Sequence, residues 1–399
     1  MSGALRLLSI STLFPNPARP GFGGFVARQA QALAARGDVD LTVINPIAAL
    51  PGPLARLDRG LRGIPDHDES RGFAVHHPRF PWLPRFGPRW NAGLIARAIW
   101  PLVSRLHAER PFDVVDAQFF FPDGPAATRI AARLGLPLSI KARGSDIHHW
   151  GAVPFARRQI LAAADAADGL LAVSAALKAD MAALGMDEAK IAVHYTGLDH
   201  ATFRPRNREE ARRELSAFPA EAGPVPTDLK LIVTTGNLIA LKGQALVIRA
   251  LERLPGARLL LAGSGPDKAE LQALAARLGL RDRVHFGYYK PAQMAVALAG
   301  ADAMALLSER EGLANAWIEA LACGAPLVIT DVGGAREVVR SPEAGRLVAR
   351  DPAAIAEALR DVIDNPPDPA SVADQAAGFS WDANAAQLAA HFRRLVGRN

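Results

Sequence analysis

The chain has 399 residues, half of them hydrophobic and 22% charged, which is the composition of a folded protein with length for two ordinary domains. No 18-residue apolar run is free of charge, which excludes a membrane-spanning helix of that kind, and a single cysteine, Cys323, excludes an internal disulfide and suits a reducing cytoplasm. A net charge of +6 favours anionic partners such as nucleotide-sugars or acidic lipid headgroups; with neither zinc-finger spacing nor an aromatic RNA-binding motif, no nucleic acid partner is expected.

The apolar run at 5–12 predicts a first strand, being too short in its apolar core for a signal peptide. A loop over 14–24 then carries Gly21, Gly23 and Gly24 ahead of an amphipathic helix over 25–36. Glycines in that position permit close approach of the backbone to a ligand at the helix N-terminus. Asp38 and Asp40 open an apolar strand over 41–44 instead of closing one, so they read as turn residues and not as a metal-binding pair. Residues 46–90 hold too many prolines for any regular period. Basic and aromatic residues alternate from Phe80 through Trp82, Arg85, Phe86 and Arg89 to Trp90. Two readings stand for this stretch: a membrane-interface or lipid-acceptor segment, and an irregular segment that buries its aromatics.

A helix over 90–110, a strand over 113–118, a helix over 125–134 and a strand over 138–141 come next. The last of these runs into Ala142-Arg143-Gly144-Ser145-Asp146-Ile147-His148-His149. An arginine here can neutralise a departing diphosphate or grip an acidic sugar, and the plainer alternative is an Arg143–Asp146 ion pair that stiffens the loop. A helix over 154–167, a strand over 169–173, a helix capped by Ser174 and a short strand over 191–193 complete a first domain at 1–203. Residues 204–229 read as a linker with a short surface helix over 208–215 and a loose stretch over 219–226.

The second domain, 230–380, opens with a strand over 231–235 and the loop Gly236-Asn237-Leu238-Ile239-Ala240-Leu241-Lys242-Gly243. A strand over 258–262 ends in Gly263-Ser264-Gly265-Pro266, and 284–287 is a short strand with a turn, on which His285 reads as packed. Neither glycine loop completes Gly-x-Gly-x-x-Gly, since Val26 and Lys268 stand where the third glycine belongs, so a nicotinamide oxidoreductase is disfavoured.

The densest signal lies between Ser308 and Val339. A buried strand over 303–307 leads to a loop with Glu311 and Gly312, and a helix over 315–323 follows, with Asn315 as its N-cap and Gly324 and Pro326 as its stop. A second strand over 327–329 and the pair Gly333-Gly334 finish the unit. Parallel sheets bind ligands at the carboxyl ends of their strands, where Glu311 falls. Glu319 leans toward the helix N-terminus, whose free N–H groups attract anions, while the two carboxylates suit sugar or ribose hydroxyls. Helices over 351–363 and 382–396 end the chain.

The Glu311-to-Glu319 spacing, with Ala320-Leu321-Ala322-Cys323-Gly324-Ala325-Pro326 behind it, resembles the donor site of glycosyltransferase family 4. The resemblance implies an α/β GT-B fold: two Rossmann-like domains with parallel sheets facing across a cleft, and a C-terminal helix, 381–399, crossing back to the first domain. It implies transfer of a sugar from a nucleoside-diphosphate sugar, a UDP-sugar being favoured, to a hydroxyl acceptor on a glycan or lipid-linked glycan. Retention of configuration, no metal and no cofactor belong to the same expectation. Glu311, Lys242, Arg143 and Asp146 take the catalytic roles, Arg143 standing where many members have a histidine. Gly23, Gly24, Asn237, Lys242, Gly265, Gly287, Gly312, Leu313, Ala314, Asn315 and Glu319 take the donor. Asn237 replaces an arginine that the family sets on the diphosphate, and Arg143 or Arg336 is the candidate to compensate.

Likeness to enzymes that build bacterial cell-surface polysaccharides implies a cytoplasmic protein, peripheral at the anionic inner face of the plasma membrane. Two rivals remain. A nucleotide-sugar epimerase of the same fold would convert donor without acceptor. A catalytically inactive sugar-nucleotide-binding protein would draw its support from the absent histidine and from Asn237.

Overall fold

A computed structural model describes residues 4–50, 59–82, 87–218, 225–226 and 228–397. Residues 83–86 of the basic-aromatic stretch and 219–224 of the loose segment lie outside the described residues. The chain divides into two compact units, Met1–Gly197 with Trp381–Asn399, and Leu198–Ser380.

The first unit is built on an eight-stranded sheet. In chain order its first strands are β1 (Leu5–Ile10) and β2 (Val39–Ile44), followed by the separate short strand β3 (Ile47–Ala49). β4 (His67–Asp68), β5 (Ala74–His76) and β6 (Arg79–Pro81) come next, then β7 (Val114–Ala117), β8 (Leu138–Ala142), β9 (Gly169–Ala172) and β10 (Ile191–Val193). The spatial order is β10-β9-β8-β7-β1-β2-β5-β4, and β3 pairs only with β6. All pairings are parallel except β4 with β5. Strands covered on both faces read as nearly unbroken apolar runs, and β8 and β9 are buried at every position.

The helix Trp381–Leu395 returns to this unit. Its Ala385, Leu388, Ala389 and Phe392 share one core with Leu5 and Leu7 of β1 and with Val26 and Leu33 of the helix Gly24–Ala35. Asp38 joins the two ends of the unit by accepting from Arg36 and, at 2.6 Å, from Arg393. Asp40 pairs with Arg6 and Arg110. The two acids therefore act as ion-pair anchors around the start of β2.

The second unit carries a six-stranded, wholly parallel sheet: β11 (Lys230–Thr235), β12 (Ala257–Ala262), β13 (Val284–Gly287), β14 (Ala303–Leu306), β15 (Leu327–Thr330) and β16 (Gly345–Val348). Its order is β13-β12-β11-β14-β15-β16, with helices on both faces. The expected linker helix, observed at Arg208–Ser216, is fastened to this unit. Arg212 donates to the Gly300 carbonyl at 2.8 Å, and the buried Asp302 gathers Arg208, Arg212 and Lys230.

Both units are Rossmann-like, and in each the strand order reverses once at the centre, between β1 and β7 and between β11 and β14. Ligands of open parallel sheets bind at the carboxyl edge beside such a reversal. No helix among the described residues is long and apolar enough to cross a membrane.

Candidate active site

In the second unit the loops after β11 and β14 flank the reversal. They carry Lys242 and Glu311, and these two side chains meet in an ion pair. Both are mostly buried, at 20% and 13% side-chain exposure. The same Oε1 of Glu311 accepts from the fully buried Ser308 hydroxyl at 2.7 Å. No hydrogen bond to Oε2 is formed among the described residues. Sequence reasoning had assigned Ser308 no role; its signal was its position directly after an apolar strand.

Neighbouring loops lock this edge together. Leu238 N–H donates to the Ser264 carbonyl at 2.9 Å, Gly263 N–H to Gly287 at 2.8 Å, Glu309 N–H to Leu241 at 2.8 Å, and Gly334 N–H to Gly312 at 2.8 Å. The glycines of this edge serve those contacts. A Cβ on Gly265 would strike the Leu238 backbone, and the Tyr289 ring lies against Gly287. Gly265 therefore meets a close backbone neighbour of its own chain, not the open space that a ligand contact alone would need. Gly333, at φ 51°, presses on the backbone carbonyls of Glu311 and Gly312. Asn237 is exposed, and its carbonyl accepts from Gln244 at 2.9 Å. Arg336 is engaged with Asp331 in an exposed ion pair, so it does not stand in for the replaced arginine in this structure.

The helix Asn315–Ala322 starts one residue earlier than an Asn315 cap requires. Ala314 occupies the N-cap position, with no side chain accepting from the first turn. The expectation of an Asn315 cap is thus corrected: Asn315 lies inside the helix, and its first-turn N–H groups are not closed by a capping oxygen. Such a terminus is a ready anion site. Leu313 and Ala314 are buried on its approach, and Glu319 is half-buried on its second turn. Cys323 packs behind it, where burial pushes the thiol up to about 12, so it is inert as a nucleophile.

In the first unit the corresponding edge holds a buried polar network. The Arg143 guanidinium donates to Oε1 of both Gln118 and Gln29, and to the Gln118 carbonyl at 3.2 Å, while lying 5.1 Å from the Phe25 ring centre. Gln29 donates to Gln118 at 3.1 Å and accepts from Lys141 at 3.2 Å. Lys141 also meets His194 Nδ1, and His194 Nε2 meets the Asn384 carbonyl at 2.9 Å. A carbonyl only accepts, so His194 carries its proton on Nε2 and accepts a hydrogen bond from Lys141 at Nδ1. Burial holds His194 down to about 2, and burial with the Arg143 charge lowers Lys141 well below the ammonium range. Asp116, under Gln118 and Ser9, is pushed up to about 6 by burial. This network draws on segments far apart in sequence, and Lys141 inside an apolar strand was its only local signal.

Asp146 follows three residues after Arg143. Its carboxylate is fully buried and accepts from the backbone N–H groups of Phe120, Arg143 and Gly144 at 2.8–3.2 Å. It fastens two loops and touches no guanidinium, so the expected Arg143–Asp146 ion pair gives way to carboxylate–amide bonds. Gly23, at φ 70°, is required by contact with the Leu13–Phe14 backbone, whereas Gly24 faces open space. The close approach expected there for a ligand is, at Gly23, an approach of the chain to itself. His148 pairs with Asp180 at 2.9 Å, and buried His285 sits within β13.

Comparison with known proteins follows the same division. Residues 19–202 match Glycosyltransferase Family 4, and residues 220–379 match Glycosyl transferases group 1. A putative teichuronic acid biosynthesis glycosyltransferase, TuaC of Bacillus subtilis, is 27% identical over 367 residues, covering 89% of this chain and 88% of that protein. The D-inositol 3-phosphate glycosyltransferase of Mycobacterium marinum is 33% identical over 228 residues, 53% of this chain; the match spans about half, 46%, of that relative's length. Among solved structures, Anabaena HepE in complex with UDP superposes with a TM-score of 0.73 at 20% identity, covering 98% of this chain and all of that one. A sucrose-phosphate synthase from Thermosynechococcus elongatus gives 0.77 at 20% identity, with 99% and 100% covered.

Proposed function

For a chain that belongs to the family 4 glycosyltransferases and carries their GT-B fold, we propose a transferase that moves a sugar from a nucleoside-diphosphate sugar to a hydroxyl of a glycan or lipid-linked glycan. Transfer keeps the anomeric configuration and needs neither metal nor cofactor. The bond from the anomeric carbon to the diphosphate breaks, the acceptor oxygen bonds that carbon on the same face, and the acceptor proton leaves with the diphosphate.

The observation that carries this reading is the uncapped start of the helix Asn315–Ala322 beside the Lys242–Glu311 pair. Charge grows on the departing diphosphate, and preorganised N–H groups with a lysine stabilise charge where it develops. Glu319 holds ribose hydroxyls, and Oε2 of Glu311 meets a hydroxyl of the transferred sugar. Arg143, gripped by two glutamines, is a fixed cation at the carboxyl edge of the first sheet.

UDP is the favoured nucleotide, supported by its presence in the HepE complex. The name of the Bacillus relative supports a product at the bacterial cell surface. The net charge of +6 suits work at the anionic inner face of the plasma membrane, on the cytoplasmic side.

The test is a thermal-shift screen with UDP-, GDP-, ADP- and dTDP-sugars on wild type and Glu319→Ala, because a ligand of the native state raises its melting temperature. The expected result is a shift with one nucleotide that the variant loses. No shift with any of them would sink the donor-site reading. Product formed only when acceptor is added separates transfer from epimerisation and from binding alone.

A further inference from the structure

We propose that Asp116 and Lys141 are positioning residues: through the side-chain amides of Gln118 and Gln29 they turn two acceptor oxygens toward Arg143 and hold its guanidinium in one orientation. The inference rests on the part given to Arg143 above and deepens it.

A guanidinium only donates, so acceptors alone can hold it. A glutamine amide carries an oxygen at one corner and an NH2 at the other, and rotation about its last bond exchanges the two at little intrinsic cost. Facing an arginine with glutamines therefore does not decide what the arginine meets. The groups on the far side of each amide decide it. Gln118, directly after β7, donates from Nε2 to Oδ2 of Asp116, which also accepts from the Ser9 hydroxyl at 3.2 Å. Its Oε1 then faces the other way, accepting from Nη2 of Arg143 and, at 3.1 Å, from Nε2 of Gln29. Lys141 on β8 does the same for Gln29, whose Oε1 accepts from Lys141 Nζ at 3.2 Å and from Arg143 Nη2 at 3.3 Å.

Turning Gln118 over would set its oxygen against the Asp116 carboxylate and its NH2 against the guanidinium. Turning Gln29 over would set its NH2 against Lys141 and Arg143, and its oxygen against that of Gln118. The bond between the two amides makes each orientation support the other. Asp116 and Lys141 are 0% exposed, and Gln118 and Gln29 are buried beside them, so water does not replace a lost partner.

Stability alone does not explain these residues. Lys141 lies in the otherwise buried strand β8 and forms no ion pair among the described residues; its nitrogen serves Gln29 and Nδ1 of His194. Oδ1 of Asp116 is buried and has no partner among the described residues. A buried lysine without a carboxylate and a buried carboxylate with one bare oxygen both cost stability, which an aliphatic side chain at either position would not. Each of them is matched to an amide that must face Arg143 with its oxygen. Arg143 follows β8 directly, at the carboxyl edge where ligands of parallel sheets bind.

The experiment labels the arginines of the full chain with nitrogen-15 and reads the guanidinium of Arg143, identified by its loss in Arg143→Ala. A tethered guanidinium rotates slowly about Cζ–Nε and gives resolved Nη signals; a free one rotates fast and gives a single averaged signal. Resolved signals are expected in wild type and in Asp116→Asn, which keeps an oxygen for Gln118. An averaged signal is expected in Asp116→Ala and in Lys141→Met, and either variant decides if the other does not fold. The companion readout is kcat/KM for nucleoside-diphosphate release from the sugar donor that the thermal-shift screen selects. It is expected to fall about tenfold in Asp116→Ala and in Lys141→Met, to be largely restored in Asp116→Asn, and to fall no further when either substitution is added to Arg143→Ala. Resolved signals in Asp116→Ala or Lys141→Met, an averaged signal in wild type, or losses that add to that of Arg143→Ala would overturn the proposal. The two readouts keep it apart from the reading beneath it. Full activity of Arg143→Ala beside the expected signals rejects the part of Arg143 in transfer, whereas an impaired Arg143→Ala with signals unchanged in the other variants rejects the positioning alone.

Discussion

Lys242 and Glu311, 69 positions apart, are joined side chain to side chain from the two loops that flank the reversal of strand order in the second sheet. The pair is short of water but not sealed from it, so the lysine is already desolvated and aimed before any diphosphate arrives. Glu311 in turn is fixed by Ser308. On the proposed reading, Lys242 shares itself between this carboxylate and the phosphate oxygens of a donor.

Lys242→Ala is therefore expected to lower kcat/KM by about 100-fold or more, the scale of losing one charge-stabilising donor. Its effect on folding should be about 1–3 kcal/mol, because the mostly buried Glu311 loses its cation and keeps only the Ser308 hydroxyl. Steady-state kinetics and a denaturant melt read the two numbers. Activity within about threefold of wild type would remove Lys242 from the reaction.

Gly333→Ala tests the loop behind Glu311. The position is at φ 51°, and an added Cβ would press into the Glu311 carbonyl. A loss of about 1–3 kcal/mol of stability is expected, from backbone strain, together with reduced turnover as Glu311 is displaced. Gly378→Ala, whose Cβ meets nothing within 4 Å, is the matched control and should change neither. Equal behaviour of the two variants would contradict the account.

Asp123 sets a pH dependence of folding. Burial pushes its carboxyl up to about 7, while in an unfolded chain it titrates near 4. Between these values the folded state keeps the proton and the unfolded state has lost it. Stability therefore falls as pH rises across that window, by about 1.4 kcal/mol per pH unit, and levels off above it. Asp123→Asn keeps an oxygen for the Thr12 N–H and offers an N–H to the Thr12 hydroxyl, the two groups that bond separate Asp123 oxygens at 2.9 and 2.7 Å, and removes the slope. Unfolding free energies of both proteins from pH 4 to 8 decide it; a constant difference between them would refute the assignment.

Arg143→Lys should cost activity although charge is conserved. One guanidinium reaches the side-chain oxygens of Gln118 and Gln29 together with a backbone carbonyl, and a lysine ammonium lacks that planar fork. A fall in kcat/KM of about tenfold, or roughly 1.4 kcal/mol, with a near-native melting temperature is the expected pattern. Full activity would reduce Arg143 to a structural role.

The second sheet and its donor loops were legible because their information is local. Apolar runs over 231–235, 258–262 and 303–307 overlie β11, β12 and β14, and the Glu311–Glu319 motif is contiguous. The helix start was misread by one residue: Asn315 is a good capping type, but capping depends on backbone geometry that residue type does not specify. The strands at 47–49, 67–68, 74–76 and 79–81 have two or three residues each, too short to display a period of two. The network around Arg143 was invisible for a different reason. Its members, Gln29, Gln118, Lys141, His194 and Asn384, are brought together only by the completed sheet and the returning helix.

That return has a consequence for how the protein is made. The ribosome delivers the helix Trp381–Leu395 after the whole of the second unit, yet Phe392 and Leu388 fill the core beneath β1, a strand synthesised long before it. The second unit, continuous in sequence, can close while the first still lacks part of its interior. For the time needed to translate some 180 residues, at about 5–20 residues per second, Leu5, Leu7 and Val26 wait for their partners. The unit begun before the other is then the later to become native, its apolar seam open in the meantime.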